Sequence, residues 1–334
     1  MIAKVFFLVD MQKDSGFGHF IRCFTLADEF KKKNIDFSFV SQKISPEIKK
    51  YFKKKKFNKF YLEKFNNFNE RGKIVIIDSY IINKKTINKI GKKNFLVIFN
   101  DFNLTKLNSN IEINNNLGAK SKKFSLSKLF GNKFCIIKKE IINNKKFITK
   151  KQKIKNIYIT FGGYNKKNEI IKFFNNLKNI NFFLKSKIQL FININILRNT
   201  LKNIFKKNKN ITLNFIDLKL DNKFKFHNID ISINAGGVTS IEMIYLKIPQ
   251  ITMNLSLDQN RNSNFIKKNN LGMILNKDVI LKKHNLNNTM NKFINEYLVF
   301  KKNLLNKNYV DNMGSKRIYN QIVTSYKKNE KKFN

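Results

Sequence analysis

The sequence predicts two α/β domains, each built around a mainly parallel sheet. Three observations predict it. Short apolar runs alternate with amphipathic, Lys-rich segments; pairs of glycines follow several of those runs; and 334 residues suffice for two separate cores. In the first half the expected strands are Val5–Val9, Phe37–Val40, Ile74–Ile77 and Phe95–Phe99. The second half offers Ile157–Phe161, Ile188–Ile192, Ile211–Phe215, Ile229–Ile233 and Gln250–Asn254. Helical spacing is clearest after Gly18, where Phe20, Ile21, Phe24, Ala27 and Phe30 fall on one face. A polar, Lys-rich stretch at Asn143–Lys155 separates the halves and predicts domains of 1–148 and 149–330.

Composition narrows the class. The apolar start at Val5–Val9 is too short for a signal-peptide core and reads as a buried first strand. No run approaches the roughly 18–20 apolar residues of a spanning helix, so no integral membrane segment is expected. Cys23 and Cys135 are too few for a disulfide scaffold and lack metal-ligand spacing. These features predict a cytoplasmic protein. The net charge of +45 suggests nucleic acid, but the residues that supply it argue otherwise. Arg occurs at positions 22, 71, 198, 261 and 317 alone, Trp is absent, and Lys, Asn, Ile and Phe are abundant. That skew follows A/T-rich codons, whereas bidentate base and phosphate contacts call for Arg. No nucleic-acid partner is expected. In a chain so depleted in Gly, Arg and Pro, those that remain mark positions where the backbone or the chemistry requires them.

Three pieces carry chemistry. In the first, Gly16 and Gly18 precede His19 and Arg22, after the first strand and at the start of a helix. This is the carboxyl end of the sheet, where open α/β folds bind ligands. The helix dipole disfavours imidazolium there, so His19 is a candidate general base. Arg22 either holds a substrate oxygen or pairs with a carboxylate, and Cys23 is expected in the core. The second piece, Gly162-Gly163 after a strand, bares backbone N–H groups to a phosphate or base edge, or is a plain turn. In the third, a strand ends in Ala235-Gly236-Gly237 and a helix begins near Val238–Thr239. Its first-turn N–H groups suit a diphosphate, with Thr239 and Ser240 as hydroxyl donors and Glu242 placed for ribose hydroxyls. The Gly-Lys-Ser/Thr ending of a Walker loop is missing, and the absence of GxGxxG argues against a nicotinamide cofactor. Gln259 and Asn260 follow the next strand, Gln259 as an amide ligand or a turn residue. Asp78, Tyr80, Asn100 and Asp101 lie at strand ends of the first half, where a carboxylate orients His19 or caps a helix. No His/Cys/carboxylate cluster suggests a metal, and no cofactor is expected.

The run from Gly16 to Ala27, GFGHFIRCFTLA, resembles the GxGHxxRCxxLA signature of PseG-type hydrolases, which act on UDP-2,4-diacetamido-2,4,6-trideoxy-β-L-altropyranose in pseudaminic acid synthesis. Asp78-Ser-Tyr80 resembles that family's Asp-x-Tyr, and Leu129–Glu140 its LxGxxYxxLRxEF passage, with Phe134 and Lys138 in place of Tyr and Arg. Thr160–Gly163 resembles its second glycine pair. Asn234–Glu242 with Pro249 and Gln259-Asn260 resembles the nucleotide-binding end shared with MurG-like GT-B glycosyltransferases. The resemblance implies a GT-B fold of two Rossmann-like domains facing a cleft, a UDP-sugar as the small-molecule partner, and no metal; a monomer is expected. It further implies water attacking the anomeric carbon with inversion, His19 as base, the second glycine-rich loop on the diphosphate and Glu242 on the ribose. Two other readings share the residues: a glycosyltransferase with the same donor site, for which a lipid acceptor calls for an exposed apolar patch in the first domain, and a non-catalytic basic binding protein.

Overall fold

In the computed structural model, residues 2–12, 17–102, 108–121, 127–144, 153–164, 166–193, 197–216, 224–276 and 282–332 are described. The chain divides into two compact units, Met1–Lys139 with Asp311–Asn334, and Glu140–Val310. The first holds β1 (Val5–Val9), β2 (Phe37–Ser41), β3 (Phe60–Leu62), β4 (Ile74–Asp78), β5 (Phe95–Phe99), β6 (Ile111–Asn114) and β7 (Lys128–Phe130). The second holds β8 (Asn156–Thr160), β9 (Ile188–Ile192), β10 (Ile211–Phe215), β11 (Ile231–Ala235), β12 (Gln250–Asn254) and β13 (Gly272–Asn276). Every expected apolar run lies in a strand, because such runs can be buried on both faces of a parallel sheet.

The sheet orders are β3-β2-β1-β4-β5-β6-β7 and β10-β9-β8-β11-β12-β13, with every pairing parallel. Each unit therefore reverses its winding once, between β1 and β4 in the first and between β8 and β11 in the second. Such a switch point opens a crevice at the carboxyl ends of the strands. Register places Val9 beside Asp78 in the first sheet and Asn234 beside Thr160 in the second.

Aromatic rings fill the first core: Phe7, Phe20, Phe30, Phe39 and Phe52 are all buried. Ile159, Phe173, Phe174, Leu190, Ile233 and Ile251 do the same in the second. Strand ends shift by a residue or two from those read off the sequence, and two differences have a clear cause. β11 starts at Ile231 rather than Ile229, because the Asp230 carboxylate accepts from the Lys155 and Asn156 N–H groups and ties that residue to the start of β8. Helix Gly314–Asn329, assigned to the second domain by the 149–330 boundary, packs into the first core through Ile318, Tyr319, Ile322 and Tyr326. Its entry is tight, since a Cβ on Gly314 would meet the Cys135 carbonyl oxygen at 1.9 Å. Gly314→Ala is expected to destabilise the protein by about 1–3 kcal/mol through overpacking. Thermal unfolding measures it, and an unchanged Tm contradicts the close approach.

Candidate active site

The first switch point gathers a buried polar cluster. Helix Gly18–Lys31 starts beside the carboxyl end of β1 and turns Phe20, Cys23, Ala27 and Phe30 into the core, with Ile21 and Phe24 only partly buried. It also buries two polar residues, His19 and Arg22. His19 Nδ1 lies 2.5 Å from Asp78 Oδ1 at the end of β4. Arg22 grips the same carboxylate twice, from Nε to Oδ2 and from Nη2 to Oδ1, both at 2.5 Å. Its other edge reaches Asp101, from Nη1 to Oδ1 at 3.0 Å and from Nη2 to Oδ2 at 2.7 Å, while Nη1 also donates to Asn115 at 3.2 Å. An Arg side chain has five N–H donors, and each here has an acceptor. Of the two readings of Arg22, pairing with carboxylates is the one the geometry shows. The guanidinium carbon sits 4.4 Å from the centre of the Phe99 ring, which fixes its plane.

Tyr80 donates its hydroxyl to Asp101 Oδ2 at 2.8 Å and sets its ring edge-on to His19, 4.4 Å between centroids. Asp10, at the end of β1, shapes that turn by accepting from Ser79 Oγ and from the Tyr80 N–H. Cys23 is buried as expected, yet its thiol points at Asp78 Oδ2 from 3.4 Å. Gly18 opens the helix, whereas Gly16 lies outside the described residues.

Electrostatics follow from burial. Burial works against the Asp78 charge, but the charges and hydrogen bonds of Arg22 and His19 outweigh it and hold the carboxyl below the ordinary carboxylate range. An ionised carboxylate only accepts, so His19 carries its hydrogen on Nδ1 and presents the Nε2 lone pair when neutral. Nε2 has no hydrogen-bond partner among the described residues. Burial alone would lower the His19 pKa; the Asp78 charge and hydrogen bond more than offset it, and the net shift is upward. Burial also raises the pKa of Asp10, and burial followed by the Asp101 charge raises that of the Tyr80 hydroxyl.

The second unit has its own arrangement. Gly162 follows β8 at φ +59°, a left-handed conformation natural to glycine, and Gly163 beside it is exposed. A Cβ on Gly162 would lie 3.9 Å from that of Ala235, so the two glycine loops adjoin at the β8/β11 switch point. Helix Val238–Tyr245 follows Gly237 without a side-chain cap; the Ser240 N–H donates to the Gly237 carbonyl at 3.0 Å and the Gly237 N–H to the Ala235 carbonyl at 2.6 Å, so the Val238 and Thr239 N–H groups are the ones the first turn offers to other acceptors. Gly236 has no room for a side chain: a Cβ would meet Ser263 Oγ at 2.4 Å and the Gln259 carbonyl at 3.2 Å. Thr239 is half-buried in the first turn, but Ser240 donates its hydroxyl to the Gly237 carbonyl at 2.6 Å and is not a free donor. Glu242 is buried one turn on. Gln259 Oε1 accepts from the Leu255 N–H at 2.9 Å, the turn role, and Asn260 opens helix Asn260–Lys268. From that helix Asn262 donates to the Gly236 carbonyl at 3.0 Å. Two buried atoms around Gly236, Asn254 Oδ1 and Ser263 Oγ, have no hydrogen-bond partner among the described residues. Buried polar atoms are nearly always satisfied, and a loop with two orphans beside it suits a polar ligand or bound water.

Asp10, Asn115, Asn116, Asn254, Asn262 and Ser263 are the contributors that sequence reasoning missed. Asn is too frequent in this chain to stand out, and Asn115 and Asn116 follow β6, a strand the apolar pattern did not reveal. Among the described residues no group of His, Cys, Asp and Glu could hold a metal ion, and no helix is long and apolar enough to cross a membrane.

Comparison with known proteins places the fold. Acinetobacter baumannii MurG superposes with a TM-score of 0.68 at 12% identity, covering 96% of this chain and 99% of MurG. S. aureus MnaA, solved together with UDP, superposes at 0.62 and 12% identity, covering 98% of each. The chain therefore has the GT-B fold, with two Rossmann-like domains. By sequence, an uncharacterized protein of Methanocaldococcus jannaschii is 27% identical over 280 residues, which is 75% of this chain and 55% of that protein. The chain thus spans about half the length of that relative. No protein-family model matches the chain.

Proposed function

We propose that the chain is a UDP-sugar hydrolase of the PseG type, acting in the cytoplasm as a monomer on UDP-2,4-diacetamido-2,4,6-trideoxy-β-L-altropyranose. The observation that carries this reading is the His19–Asp78 pair at the first switch point, with Nδ1 tied to a carboxylate and Nε2 without a hydrogen-bond partner among the described residues. In this reaction Nε2 takes a proton from water as the water oxygen bonds to the anomeric carbon. The bond from that carbon to the diphosphate oxygen breaks on the opposite face, and UDP leaves with the electron pair. The configuration inverts. UDP is a good leaving group, so one base and an anion cradle suffice. Ala235, Gly236, Gly237 and Thr239, with Gly162 and Gly163, form that cradle, and Glu242 holds the ribose; Gln259 shapes the adjoining turn beside Asn260. S. aureus MnaA, of the same fold, was solved together with UDP, which supports such a ligand.

Hydrolysis in ¹⁸O-water tests the bond that breaks. Label is expected on the sugar and none on UDP; label on the phosphate would place attack at phosphorus and remove the mechanism. The pH dependence is a second check. Only neutral His19 is a base, and the Asp78 charge and hydrogen bond outweigh burial to raise its pKa above that of a free imidazole. Hence kcat/KM should climb with pH through a midpoint above that of a free imidazole and then level. The linked stability has the opposite sense: the increment from His19 is full below its unfolded pKa and disappears as pH rises through the folded one. A flat profile from pH 5 to 8 contradicts the assignment of His19.

One observation favours a second reading, a glycosyltransferase with an apolar or lipid acceptor. Tyr80, Ile81 and Phe102, 46%, 47% and 48% exposed, are large apolar side chains at the strand ends that carry the His19 cluster. Tyr80 and Phe102 pack together at 5.1 Å between centroids. An acceptor-dependent release of UDP would favour this reading.

A further inference from the structure

A base paired with one carboxylate needs no arginine, yet the carboxylate behind His19 is gripped by one. Taken alone, the Arg22–Asp78 contact would cancel the charge that orients and supports His19. Asp101 changes that balance. It occupies the other edge of the same guanidinium, with Nη2 shared between Asp78 Oδ1 at 2.5 Å and Asp101 Oδ2 at 2.7 Å. All three side chains are buried, at 5% exposure or less for Arg22 and Asp78 and 8% for Asp101. Two carboxylates and one guanidinium leave a single net negative charge, spread over the group that faces His19. Asn116 Nδ2 and the Tyr80 hydroxyl donate further hydrogen bonds to Asp101.

We propose that Arg22 and Asp101 act as a charge-sharing pair that sets, through Asp78, how strongly His19 holds a proton. Arg22 is thus a positioning residue, with all five donors engaged inside the protein and none left for substrate. Its charge opposes that of Asp78 and, with Nη2 3.3 Å from His19 Nδ1, disfavours a proton on His19; Asp101 opposes the charge of Arg22 and favours that proton. The other charged or titratable groups around His19 are Asp10 at the end of β1, Tyr80 after β4 and the Cys23 thiol on its own helix. None of these bridges Asp78 and Asp101. The guanidinium alone has the fork that spans two carboxylates, and a lysine ammonium is a point charge.

The inference rests on His19 being the base, but its test reads the proton on His19 directly and stands whether or not the reaction is hydrolysis. The chain has three His, at 19, 227 and 284, so the His19 resonance is assignable by comparison with His19→Gln. NMR titration of the full chain is expected to show opposite movements. Arg22→Met raises the His19 midpoint, Asp101→Asn lowers it, and the double variant lies between them. Arg22→Lys does not restore the wild-type midpoint. Below the midpoint, the neutral fraction of His19, and with it kcat/KM, falls about tenfold for each pH unit the midpoint rises. A merely structural role would reduce folding or activity in both single variants without opposite titration shifts. Movement of both in one direction, or of neither, overturns the proposal. Should Arg22→Met fail to fold because two carboxylates are left buried, Asp101→Asn decides alone, since an unchanged or raised midpoint there contradicts charge sharing.

Discussion

Replacing His19 with Ala is expected to slow UDP release from the UDP-sugar by about 10²–10⁴-fold, the usual contribution of a positioned general base. The affinity for UDP should stay within about twofold, because the proposed nucleotide contacts lie at the β8/β11 switch point and His19 belongs to the other unit. This separation makes the experiment informative. A loss of both rate and affinity would mean that the variant disturbs the fold, since His19 is buried against Asp78 and the Tyr80 ring. Circular dichroism and UDP titration on the same preparation separate these cases. Full activity in His19→Ala removes the residue from the mechanism.

Asp78→Asn should be comparably damaging, by up to about 10⁴-fold, as for loss of the orienting carboxylate in a serine-protease triad. The side chains are of one size, so packing is preserved. The chemistry is not. An amide placed with its NH2 toward His19 donates to Nδ1, which shifts the ring hydrogen to Nε2 and removes the lone pair that accepts from water. With its oxygen toward His19 it keeps the tautomer but forfeits the charge, and its NH2 then faces the Arg22 Nε–H, a second donor, across the 2.5 Å now spanned by Oδ2. Either orientation costs activity. Single-turnover rates with saturating substrate measure the loss, and an effect below tenfold contradicts the role of Asp78 as the orienting partner.

The readable part of this site came from codon depletion as much as from motifs. In a chain with five Arg and three His, one of each inside a single helical turn after the first strand is hard to explain by packing alone. Asp78 and Asp101 were legible as candidates because both follow apolar runs that end at the functional side of a parallel sheet. The sequence did not show that Arg22 joins them, since a guanidinium offered to substrate and one fully paired inside the protein look alike in one dimension. Cys23 was expected among apolar neighbours, and its contact with Asp78 depends on the roll of the helix. β3, β6, β7 and β13 escaped the apolar pattern for a physical reason. β3, β7 and β13 lie at sheet edges, which tolerate short or polar-ended strands, and β6, next to an edge, is only Ile111-Glu-Ile-Asn114. With β6 unread, Asn115 and Asn116 had no strand end to belong to. The return of helix Gly314–Asn329 to the first unit was equally hidden, because its Ile and Tyr spacing predicts a buried face without saying which core receives it.

The measurement that tests the central claim most directly is UDP release by the purified wild-type protein from UDP-2,4-diacetamido-2,4,6-trideoxy-β-L-altrose, with no acceptor present. His19→Ala and Asp78→Asn serve as paired controls. The account predicts multiple turnovers by the wild type, with the free sugar inverted at its anomeric carbon, and loss of turnover in both variants while UDP still binds. Tight binding of UDP without release by the wild type, or release that survives in His19→Ala, would contradict it.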